Sequence, residues 1–73
     1  MNNHEPEAKD IYVSKFATYR IINNDGYRCY CIILENDAIS MRSVYNDYFK
    51  KSCTYLGKSE YNIKDLFKRK GVN

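Results

Sequence analysis

The sequence predicts an α+β fold. A small antiparallel β-hairpin or sheet covers about residues 12–22 and 27–35, and two α-helices, about 41–55 and 60–70, pack on one of its faces. Three observations lead there. Two β-favouring runs flank Asp25-Gly26, a dipeptide suited to a tight hairpin turn. Apolar residues then recur at helical spacing from Met41 to Phe49. Finally, Ser59 to Gly71 reads as a short helix with a signal at each end.

Residues 1–10 are polar, hold the single proline and show no periodicity, so they read as a mobile tail before one compact domain over 11–71. The run Ile11-Tyr12-Val13-Ser14-Lys15-Phe16 is β-prone and leads into the hairpin, favouring one strand from about Tyr12 to Ile22. With Asp25 and Gly26 as the central turn residues, Asn24 meets Tyr27, Ile22 meets Cys29 and Tyr19 meets Ile32. That register puts Ala17, Tyr19, Ile21, Tyr30, Ile32 and Leu34 on the core face, and Cys29 and Cys31 together on the other.

Glu35-Asn36-Asp37 is turn-like, and Ala38 to Met41 suits either a short strand or a helix entry. Met41, Val44, Tyr45, Tyr48 and Phe49 fall on one side of a helix that Gly57 is placed to end. In the second helix Ser59 caps the start, and Ile63, Leu66 and Phe67 form the apolar stripe. Lys68, Arg69 and Lys70 complement the C-terminal dipole before Gly71.

At 73 residues the chain has room for only a thin core. Eight tyrosines exceed what such a core can hide, so some belong at its rim, where a homodimer would cover them. No apolar run reaches the length of a membrane span and no signal peptide is visible, which points to a soluble cytoplasmic protein. Three cysteines, an odd number, argue against a disulfide framework and for reduced thiols. Eight Asn, eight Lys, eight Tyr and seven Ile suit an AT-rich genome such as that of a phage, a mobile element or a low-GC bacterium.

Charge is unevenly spread. Lys50, Lys51, Lys58, Lys64, Lys68, Arg69 and Lys70 face only Glu60 and Asp65 in the last third of the chain. Such an end can meet phosphates or an acidic protein surface, although lysines also simply solvate helices. Two helices around Gly57 permit a comparison with a helix-turn-helix, a weak signal because short glycine turns are common. No cofactor or metal set emerges, since a C-x-x-C pair is absent and His4 lies in the presumed tail. The same lone histidine offers little for acid–base catalysis, so no enzyme is expected.

The expectation is therefore a small non-catalytic binder, an inhibitor or modulator of a host protein, encoded by a phage or mobile element. Tyr12, Tyr27, Tyr55 and Tyr61 are its candidate contact residues. Direct DNA or RNA binding through the seven basic residues is the alternative.

Overall fold

In the computed structural model, which describes residues 4–59, the protein is mainly β. Five strands, β1 (Asp10–Val13), β2 (Thr18–Asn24), β3 (Arg28–Glu35), β4 (Ala38–Tyr45) and β5 (Thr54–Lys58), form one sheet in the order β4-β3-β2-β1-β5. Every neighbouring pair is antiparallel. Among the described residues one helix, α1 (Asn46–Ser52), lies between β4 and β5. This corrects the expectation of a hairpin followed by two helices. The helix expected over 60–70 lies outside the described residues.

Of the helix expected over 41–55 only Asn46–Ser52 is helical; residues 41–45 are strand, because Met41 and Tyr45 also fit a period of two, which sends Val44 to the other face. Ile39, Met41 and Tyr45 alternate with Ser40, Arg42 and Val44. Asn36 and Asp37, with φ of 53° and 65°, turn the chain straight from β3 into β4. Positive φ at both central residues is the type I′ requirement, and Asn and Asp meet it at low cost. The two turns of Asn46–Ser52 remain helical, and they bury Phe49. Gly57, read as a helix terminator, sits inside β5 at φ 110°.

The hairpin turn falls one residue later than expected. Asp25 N–H donates to Arg28 O at 3.1 Å, so Gly26 and Tyr27 are the central pair and only Gly26 has positive φ. The Asp25 carboxylate accepts from the N–H groups of Tyr27 (2.9 Å) and Arg28 (2.8 Å), a local side-chain turn that a dipeptide rule misses. A bulge at Ile22 then shifts the ladder again, so that Tyr19 opposes Ile33 rather than Ile32. A one-residue slip sends every side chain of a strand to the opposite face. Cys29, Cys31 and Ile33 are therefore buried, and Tyr30 and Ile32 are not.

On the helix face Tyr12, Ala17, Tyr19, Ile21, Cys29, Cys31 and Ile33 pack beneath Phe49. The Phe49 ring lies 5.0 Å from Tyr12 and 5.4 Å from Tyr19, the latter edge-on at 88°. Burying that phenyl contributes about 2–3 kcal/mol. The other face carries Tyr30, Ile32, Ile39 and Met41, and the one described helix does not lie on it. Tyr12 to Ile22 is two strands because Ser14 interrupts it. Its hydroxyl accepts from the N–H groups of Phe16 (3.2 Å) and Ala17 (3.3 Å), which competes with the ladder.

The segment read as a tail is packed from His4 onward. Pro6 and Asp10 are fully buried, and Asn24 Nδ2 donates to Pro6 O at 2.8 Å. No described helix is long and apolar enough to cross a membrane.

Candidate functional site

Two polar constellations stand out, one at the hairpin tip and one at the β1–β5 edge. At the tip, Asn46 is the organising residue. Its N–H donates to Tyr27 O (3.1 Å) and its Nδ2 to Asn24 Oδ1 (3.0 Å), while its Oδ1 accepts from the Cys29 thiol (3.0 Å). These bonds fasten the β4–α1 junction to the hairpin. The neighbouring Tyr45 consequently stands against Tyr27, ring centres 5.2 Å apart and edge to face at 82°. The Arg28 guanidinium lies over the Tyr45 ring at 5.9 Å.

Both rings stay open to solvent, Tyr27 at 68% and Tyr45 at 54% of full exposure. Below them runs a cleft of about 490 Å³ lined by Glu5, Gly26, Asn46, Asp47 and Lys50. Lys50 Nζ donates to Glu5, which closes one wall with an ion pair. The cleft thus offers two amphipathic rings and one further carboxylate, while the Asn46 amide is spent on holding the frame. That is a surface for gripping a side chain or loop of another molecule.

At the β1–β5 edge, Asp10 is the centre. Oδ2 is hydrogen-bonded to His4 Nε2 (2.7 Å) and accepts from the Glu7 N–H (2.8 Å). Oδ1 accepts from Tyr55 Oη (3.1 Å) and Lys58 Nζ (3.0 Å). The His4 ring stacks on Tyr55 at 4.2 Å. Burial alone would raise the Asp10 pKa, but the bonds from Lys58, His4, Glu7 and Tyr55 outweigh it and hold the carboxyl below its usual value. A carboxylate so saturated with donors is a poor proton acceptor at neutral pH. Its chemistry is that of a clasp.

The expected contact residues separate. Tyr27 belongs to the open cleft. Tyr12 is completely buried, with a hydroxyl that has no hydrogen-bond partner among the described residues, and burial drives its pKa upward. Tyr55 is half-buried in the clasp. Tyr61 lies outside the described residues. Of the expected basic surface, Lys50 and Lys58 engage carboxylates and Lys51 is exposed. Lys64, Lys68, Arg69 and Lys70 lie outside the described residues. Cys29, Cys31 and Cys53 are free thiols, and burial pushes Cys31 up to about 12 and the other two up to about 11. Such thiols stay protonated and unreactive at neutral pH.

Sequence reasoning missed Tyr45, which the helical reading buried, and Asn46, the residue that positions it. A period-two reading of Ile39, Met41 and Tyr45 would have exposed the ring. No protein-family model, curated protein or solved structure matches the chain.

Proposed function

We propose that the chain is a small, non-catalytic, cytoplasmic protein-binding domain. It inhibits or modulates a host protein, such as a nucleic-acid-handling or defence enzyme, on behalf of a phage or mobile element. The observation that carries this reading is the Tyr27–Tyr45 pair held over an open cleft by Asn46. Large rings with few rotamers make strong contacts at little entropic cost, and tyrosine and arginine are enriched where binding energy concentrates. Here Arg28 backs one ring.

Direct nucleic-acid binding is the competing reading. Two of the described lysines it would use already neutralise Glu5, Glu7 and Asp10. Affinity capture from host lysate, with and without nuclease, separates the readings. The protein-binding reading expects one protein recovered in both arms and lost with the Tyr27→Ala, Tyr45→Ala double variant. Recovery of nucleic acid, with proteins released by nuclease, would transfer the function to DNA or RNA binding. In that case affinity should also fall steeply with salt.

A further inference from the structure

We infer that β4 is a self-association edge: two copies pair antiparallel through residues 38–44 and join their sheets across a twofold axis. This interface is separate from the tyrosine cleft and needs no foreign partner. β4 is an eight-residue edge strand that pairs with β3 without a break, from Glu35–Ala38 to Arg28–Tyr45. Natural edges are blunted by prolines, lysines, inward charges, bulges or shortness. β4 has no proline, lysine or bulge, and its single charge, Arg42, lies opposite Cys31 on the helix-facing side, where it stays exposed. Its open-face side chains are exposed, Ile39 by 45% and Met41 by 52%.

Symmetry and charge together select a second copy and one register. Directly opposed residues in an antiparallel pair share a face, so a twofold axis normal to the sheet must set some residue opposite itself. Two registers pair nearly the whole strand. Centring on Arg42 would oppose two guanidiniums, which is destabilising. Centring on Met41 opposes Met41 to Met41, Ile39 to Ser43, Ser40 to Arg42 and Ala38 to Val44. The two arginines are then diagonal rather than directly opposed, and each faces a hydroxyl. Because Ile32 lies opposite Met41 within each chain, the pairing also creates a continuous apolar row, Ile32–Met41–Met41–Ile32, across the seam. A second copy supplies the reinforcement that so small a core otherwise lacks.

Sedimentation velocity on the purified full chain should show a dimer at micromolar concentration. Met41→Lys should sediment as a monomer while keeping the parent far-UV circular dichroism. In a Cys53→Ser background, Met41→Cys should cross-link to a covalent dimer under mild oxidation, and Ser40→Cys should not. A parent chain that stays monomeric at hundreds of micromolar would overturn the inference. So would a dimer that survives Met41→Lys, or cross-linking through Ser40→Cys in place of Met41→Cys. None of these readouts involves Tyr27, so the cleft can fail while the edge stands, and the reverse.

Discussion

The two edges of the sheet are built on opposite plans. β5 is short, interrupted by a bulge opposite Ile11 and Tyr12, and contains Gly57 in a left-handed conformation. It is held by side chains: Tyr55 and Lys58 reach Asp10, and His4 covers Tyr55. β4 is longer and unbroken, and the Asn46 bonds fasten only its far end, next to α1. One edge is closed by polar chemistry within the chain, and the other is left regular, with Ile39 and Met41 exposed along it. An edge needs so many hydrogen bonds only where its strand would not otherwise stay. Regularity keeps β4 in place and also leaves it able to add a strand.

The contrast presumes that both edges hang on a correctly faced β3, and the largest expected effect tests that. Ile33→Asp places an unpaired carboxylate on the helix face, a cost above the roughly 5 kcal/mol that a small domain has in total. Far-UV circular dichroism should report an unfolded chain. Ile32→Asp, one residue along on the open face, should fold.

Asp10→Ala should cost about 2 kcal/mol, because hydrogen bonds to a buried carboxylate are strong while the half-exposed Lys58 regains water. Amide exchange should speed up across Thr54–Lys58 and stay unchanged in β4. The pH dependence has a fixed sign. The folded carboxyl titrates below the ordinary value of 3.8, so its contribution is complete above that pH and disappears as pH falls through the folded value. Urea denaturation from pH 6 to pH 2 should show this acid loss in the parent chain and not in Asp10→Ala.

Gly57→Ala should destabilise by about 1 kcal/mol through backbone strain alone, since a Cβ there meets no neighbour within 4 Å. Tyr12→Phe should act in the opposite direction and stabilise by up to about 1 kcal/mol, because it removes a buried hydroxyl that has no partner among the described residues. Thermal melts of both variants are the measurement. The smallest effect belongs to the other edge: at dilutions where the chain is monomeric, Met41→Lys should shift unfolding by less than about 0.5 kcal/mol.

The legible parts of the sequence were those fixed by local chemistry. The β2–β3 hairpin, the turn at Glu35-Asn36-Asp37, the shared face of Cys29 and Cys31, and the exposure of Tyr27 all follow from neighbouring residues. What failed was parity. Asp25 accepts from two N–H groups beyond it and moves the turn onto Gly26 and Tyr27. Ile22 then takes up one residue in a bulge, and the two shifts together leave β3 facing the other way. Within the stripe from Met41 to Phe49, Met41 and Tyr45 fit both periods and Val44 fits only the helical one. The choice lay in Asn36 and Asp37, which launch a strand pair with β3 that no helix-period reading can foresee. The candidate site depends on Asn46 reaching back to Tyr27 and Asn24, a long-range contact that spacing does not encode.

The pairing of β1 with β5 sets an order of assembly. β2–β3 and β3–β4 close over tight turns and belong to the microsecond regime of hairpins. Asp10 must instead wait for Lys58, at the far end of the described chain, and loop-closure entropy opposes that meeting until most of the sheet exists. β1 is therefore flanked on both sides only after β5 has joined the sheet. Interactions made that late stabilise the finished fold by slowing its unfolding and leave the folding rate almost untouched.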